Sequence, residues 1–240
     1  MKQSVQKFIA NSALTLLVAF VVITGIELSL SQLFPGSFAQ DDEFAGEKIV
    51  HLLQEPRHRT VHKGDGLFLL DVQVNPGDLS FAHVHDQAIL LTTISTGAGP
   101  SNSDVRAITD YASTPLTHKV GNDGPGLLRI IALVNDGNGV TGNTSDAPFG
   151  MASAANLENP WFRSYSIELT PGEETALQTH QNPTVIVQRN AGVVHVTRAD
   201  GITTELDAPG DWAWSAKQSP FRLRNSGRSA VTVAINEGRR

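Results

Sequence analysis

The chain carries its own pattern twice, and no other feature constrains its fold as much. Residues 72–85, Val-Gln-Val-Asn-Pro-Gly-Asp-Leu-Ser-Phe-Ala-His-Val-His, align with 167–180, Ile-Glu-Leu-Thr-Pro-Gly-Glu-Glu-Thr-Ala-Leu-Gln-Thr-His, at an offset of 95. The register runs on without a gap, so that Leu90 falls on Val185 and Gly97 on Gly192. Later, His118-Lys-Val-Gly-Asn122-Asp-Gly124 aligns with Phe221-Arg-Leu-Arg-Asn225-Ser-Gly227 at an offset of 103. Each Asn-x-Gly turn is followed by a last apolar run, 127–134 and 231–235. A repeat of about 70–90 residues describes two copies of a domain, since solenoid units run to 20–50.

Each copy reads as all-β. Apolar, β-branched runs at 67–74, 82–85, 88–94, 105–111 and 127–134 are short and separated by Gly, Pro, Asn and Asp. Such runs predict a sandwich or barrel, and no window after residue 40 has the period of a long amphipathic helix. The stretch 47–53 reads as a short strand or a turn of helix. Residues 136–160, rich in Gly, Asn, Ser and Asp, read as a linker or a strap between the copies. The expected division is 50–136 for the first domain, 137–160 for the linker and 161–238 for the second.

The first 39 residues predict a targeting segment. Lys2 and Lys7 precede an uncharged run from Ala13 to Ile26, and only acidic residues (Asp41, Asp42, Glu43) follow soon after. This asymmetry directs the rest of the chain out of the cytoplasm, to a periplasmic or extracellular place. Ser37-Phe-Ala39 supplies the small residues of a cleavage site, which favours a cut signal over a membrane anchor at residues 12–34. There is no cysteine, so disulfides, thiolate metal sites and cysteine nucleophiles are excluded. A net charge of −6 without a basic block argues against nucleic acid. The partner expected is a small molecule, with membrane contact only through the N-terminal segment and a homodimer left open.

Chemistry concentrates after the first Pro-Gly turn. His83 and His85 are separated by one residue and so share a strand face, and neutral imidazole is the commonest metal ligand. His118 is the candidate to close the site. His51, His58 and His62 lie among Arg57, Arg59 and Lys63 and read as solvated surface residues.

These residues resemble the cupin superfamily. Gly77, His83, His85 and Gly97 keep the spacing of its first motif, with Leu90 at the place of the usual glutamate; His118 and Asn122 keep the end of the second. In the second copy Gly172, His180, Gly192, Gly210 and Asn225 persist, whereas Gln178, Val185 and Phe221 replace the first histidine, the glutamate and the last histidine. The resemblance implies two jelly-roll-like barrels in tandem, the first competent for metal and the second degenerate, with Gln178 and His180 in its pocket. It implies a divalent metal on His83, His85 and His118, iron first, with zinc, copper or nickel also open. Gln87 is the candidate to support that site in place of the glutamate, because Asp86 points away from the histidine face. Trp212 and Trp214, on one strand face, are assigned to a core or an inter-barrel contact. Three functions stay open: a dioxygenase acting on a bidentate substrate, a metal-dependent isomerase or lyase, and a non-catalytic binding or scaffold protein. The missing glutamate counts against the second.

Overall fold

The computed structural model describes residues 44–141 and 147–240, and the targeting segment proposed for 1–39 lies outside them. Among the described residues no helix is long and apolar enough to cross a membrane. Lys48–Arg240 form one compact unit, built of strands with two short 3-10 turns, Leu52–Gln54 and Asp110–Ala112.

The first half contains β1 (Ile49–His51), β2 (His58–Gly64), β3 (Leu67–Val74), β4 (Ala82–His85), β5 (Ala88–Thr96), β6 (Arg106–Ile108), β7 (Leu116–His118) and β8 (Leu128–Asn135). They form a five-stranded sheet in the order β2-β3-β8-β5-β6 and a three-stranded sheet β1-β4-β7. The second half contains β9 (Leu157–Glu158), β10 (Phe162–Leu169), β11 (Thr184–Gln188), β12 (Val194–Arg198), β13 (Thr203–Leu206), β14 (Trp212–Ser215), β15 (Phe221–Asn225) and β16 (Val231–Gly238). These form a five-stranded sheet β14-β11-β16-β10-β9 and a three-stranded sheet β13-β12-β15. The architecture is therefore all-β, two barrels in tandem. Strand β9 falls inside the stretch read from sequence as linker and joins the second five-stranded sheet.

The repeat is visible in the turns. Pro76-Gly77 and Pro171-Gly172 occupy the corners after β3 and β10, where the glycines take φ of +75° and +81°. Asp78 N–H donates to Asn75 O, and Glu173 N–H to Thr170 O, each at 3.0 Å, closing type II turns. Asn122 and Asn225 do the same work in each barrel. Asn122 Nδ2 donates to Val74 O and Gly126 O at 2.8 Å, and its Oδ1 accepts Gly124 N–H at 3.0 Å. Asn225 Nδ2 donates to Leu169 O and Ser229 O at 2.8 Å, and its Oδ1 accepts Gly227 N–H at 2.9 Å. Gly97 is glycine because a Cβ there would sit 2.1 Å from Asn122 Oδ1.

Three apolar clusters fill the molecule. Leu70, Val72, Val74, Ile89, Ala132 and Val134 line the first barrel, and Tyr165, Leu169, Ile186, Phe221, Val233 and Ile235 the second. The third lies between them, where Leu67, Leu69, Leu90, Ile131 and Leu133 meet Phe162, Val185 and Val187, flanked by Trp161, Trp212 and Trp214. Both five-stranded sheets are thus apolar on two faces. The two tryptophans on β14 belong to this inter-barrel contact. Asn236 Nδ2 donates across it to Thr92 Oγ1 at 2.9 Å, and Arg129 Nη1 to Pro209 O at 2.9 Å.

This packing corrects the motif alignment. Leu90 and Val185 face the opposite barrel, and the inward-facing neighbours are Ile89 and Thr184. Ile89 is therefore the inward-facing residue beside the glutamate's place in the motif, one residue earlier than the sequence alignment puts it.

Two outcomes follow for stability. Replacing Asn122 by Ala strands two carbonyls and an N–H, and should cost about 2–4 kcal/mol in urea unfolding. Phe162→Ala should cost about 3–5 kcal/mol, with both barrels still lost in a single transition because the cavity opens in the shared cluster.

Candidate metal centre

The site is assembled by the three-stranded sheet of the first barrel. In the β4–β7 pair His83 lies opposite His118, and His85 opposite Leu116. Alternation turns His83 and His85 to the same inward face. The ligating nitrogens of His83, His85 and His118 all lie within 4.8 Å of one another, and among the described residues no other group of three or more His, Asp or Glu does this. Ring centroids are 5.1 Å apart for His83–His85, 4.7 Å for His83–His118 and 4.8 Å for His85–His118.

The nitrogens suit an ion. His85 Nε2 and His118 Nε2 approach to 2.9 Å, close to the separation of about 3 Å expected for two imidazoles bound at right angles to one ion. His83 donates Nδ1–H to Phe81 O at 2.9 Å, which leaves its lone pair on Nε2. That Nε2 is buried and has no hydrogen-bond partner, and the same holds for His85 Nδ1. Buried polar atoms without partners are rare in folded proteins. Burial disfavours the charged form of all three rings, lowering His83 and His118 to about 4 and His85 to about 2, with the neighbouring histidines adding to the last two. Neutral imidazole, the form that ligates metals, is the form held at neutral pH.

Residues the sequence reading missed complete the surroundings. His58 is buried, not solvated as expected: it stands on β2 opposite Val72, which lines the barrel, and its ring lies 4.5 Å from that of His83. Its Nδ1–H donates to Glu55 Oε2 at 2.7 Å. Glu55 is itself buried; burial raises its pKa, but hydrogen bonds from His58, Arg57 and Phe81 outweigh this and hold it below the usual carboxylate range. Tyr111, on the 3-10 turn before β7, lies 4.9 Å from the His85 ring, and burial raises its pKa. Of the other two histidines, His51 pairs with Asp86 at 3.0 Å and His62 packs against Trp214 at 4.2 Å between centroids.

Gln87 does not continue the histidine strand, because β4 ends at His85 and β5 begins at Ala88. Its Oε1 is nonetheless buried without a partner.

In the second barrel the equivalents of His83 and His118 are Gln178 and Phe221, joined by an isolated bridge. His180 is buried there. Its Nδ1–H donates to Glu237 Oε1 at 2.7 Å, its Nε2 faces Gln178 Oε1 at 3.0 Å, and Phe221 stacks on its ring at 5.3 Å. Glu237 also accepts from Asn182 Nδ2 at 3.0 Å and lies 3.7 Å from the Arg163 guanidinium. The chain's own side chains occupy each other where the first barrel leaves nitrogens free.

Comparison with known proteins rests on structure. No family model and no curated protein matches the sequence. A single-residue variant of salicylate 1,2-dioxygenase from Pseudoaminobacter salicylatoxidans superposes with a TM-score of 0.51 at 12% identity, over 72% of this chain and 71% of that one. The fold is a cupin fold. AerE from Microcystis aeruginosa (TM-score 0.48, 8% identity, 78% and 99% of the two chains) is also similar. So is a cupin domain from Bordetella pertussis (0.32, 17%, 36% and 91%). The first barrel of this fold keeps a three-histidine cluster that is suited to a divalent metal ion.

The depressed histidines set a pH dependence for the metal-free protein. The unfolded chain takes up protons near pH 6.5, whereas the folded site resists them until about 4, so stability is lost as pH falls through that window and is unaffected above it. Thermal melts should be flat above pH 7 and drop by roughly 5 °C or more by pH 5. His85→Gln, which removes one of the three contributing rings, should make the drop smaller.

Proposed function

We propose that this cupin binds one divalent transition metal through His83, His85 and His118, iron foremost, and oxidises a small bidentate substrate with dioxygen. The observation that carries the reading is the convergence of three neutral imidazoles, with His83 Nε2 buried and unpartnered and the Nε2 atoms of His85 and His118 2.9 Å apart. Three protein ligands leave coordination positions open, as working metal sites do. A bound ion would supply Lewis acidity and a template for two substrate oxygens.

The chain's own residues do the rest. Ile89 in place of a carboxylate leaves the first barrel without an inward acid at that slot, so the neutral ligand set favours an anionic or chelating substrate. Tyr111 presents its ring beside His85 as one wall for such a molecule. Gln87, two residues past His85, offers a buried oxygen that lacks a donor. Aromatic hydroxy acids and diols are the first substrates to try, the class to which the substrate named for the structural neighbour belongs. Export across the membrane, with cleavage after Ala39, is part of the proposal. It is supported by Lys2 and Lys7 before the apolar run and acidic residues after it.

Metal analysis by mass spectrometry on untagged protein should find about one equivalent of a transition metal per chain. His83→Ala should lose it while retaining the β-rich circular dichroism spectrum. Oxygen uptake with catechols, hydroxybenzoates, diketones and small thiols tests turnover. Stoichiometric metal without uptake on any of them would favour the non-catalytic binding reading. Metal content unchanged by His83→Ala would overturn the site.

A further inference from the structure

Resting on the metal reading above, we infer that Glu55 is the positioning residue of the three-histidine site, acting from outside the ligand set along two paths that meet at His83. The carboxylate is shielded from solvent at the end of the 3-10 turn that precedes β2.

The first path runs through the backbone. Glu55 Oε1 accepts Phe81 N–H at 3.2 Å, and Phe81 O accepts His83 Nδ1–H at 2.9 Å. A carbonyl oxygen only accepts, so this contact fixes the proton on Nδ1 and the lone pair on Nε2, the buried atom without a partner. The second path runs through a ring. Glu55 Oε2 accepts His58 Nδ1–H at 2.7 Å, and the His58 ring is tilted 53° against that of His83 at 4.5 Å. Arg57 N–H, at 2.5 Å from Oε2, completes the donors on the carboxylate. One group thus ties β2 to the connection between β3 and β4, and holds both Phe81, whose carbonyl fixes the tautomer of His83, and the ring against which His83 rests. Groups that orient metal ligands in this way tune the site as strongly as some ligands do.

The second barrel shows the alternative. Its buried carboxylate, Glu237, takes the histidine nitrogen for itself, at 2.7 Å from His180 Nδ1. Glu55 stands one residue further back, on His58 and Phe81, and leaves the ligating nitrogens of the first barrel to an ion. It places a buried carboxylate near the site without entering it, its charge offset by the Arg57 guanidinium 3.6 Å from Oε1.

The test is cobalt(II) titration of the full chain, read by the visible absorption of the bound ion, on wild type, Glu55→Gln, Glu55→Asp and His83→Ala. Wild type should bind one equivalent and His83→Ala none. Both Glu55 variants should bind about 10- to 100-fold more weakly with shifted bands, since Asp keeps the charge but not the reach. A loss confined to Glu55→Gln, or band positions unchanged in both variants, would overturn the positioning role. Affinities equal to wild type in both, with His83→Ala inert, would remove the role and leave the metal site standing. Absence of saturable binding by wild type would remove both. Should the variants fail to fold, nitrogen-15 NMR of the zinc-loaded wild type decides alone. His83 protonated on Nδ1 and bound through Nε2 is expected, and ligation through Nδ1 would overturn the inference.

Discussion

The molecule depends on the burial of two five-stranded sheets against each other. Each sheet has one face on its own barrel core and the other on the cluster built by Leu67, Leu90, Leu133, Phe162, Val185 and Val187. At roughly 25 cal/mol per Å2 of apolar surface removed from water, a shared layer of this kind is a leading source of stability for a chain with no disulfide to help. Polar atoms cross it only where they are paired, as Asn236 is with Thr92 and Arg129 with the 209–210 backbone.

That rigid layer frees the opposite sheets to diverge. In the first barrel the β4–β7 pair holds histidines of which two keep a buried nitrogen without a partner, His83 Nε2 and His85 Nδ1, and burial keeps the rings neutral. In the second, the same two positions carry Gln178 and Phe221, and Glu237 enters from β16 to satisfy His180. A buried imidazole is accommodated in both, once by what the chain provides and once by leaving room for something else. The same backbone therefore supports two opposite solutions to one desolvation problem.

Much of this was legible because it is local. The Pro-Gly corners, the Asn-x-Gly turns and the period-two spacing of His83 and His85 each express a short-range rule. The inward facing of β5 was not legible: with both faces apolar, as in Ala88-Ile-Leu-Leu91, alternation carries no signal to show that Ile89 and not Leu90 faces the barrel. His58 was hidden by its neighbours. Arg59, exposed and opposite Asp71, stands on the other face of the strand, and a register shift between Thr60 and His62 breaks the alternation that would have separated His58 from the cations around it. A Glu three residues before a His, at 55 and 58, was the available signal. Glu237 was likewise visible as a charge at the inward phase of Val231, Val233 and Ile235, and only tertiary pairing shows why it is tolerated.

The doubly buried sheets have a consequence for the integrity of the particle. A nick in the chain between the halves would sever no contact of the central layer, so the two pieces should remain associated and co-purify as complementary fragments. Either piece made alone would present a broad oily face to water and be prone to clump or to recruit a chaperone. The connection between the halves is thus a place where this protein can be cut or extended, while the halves themselves cannot be parted without harm.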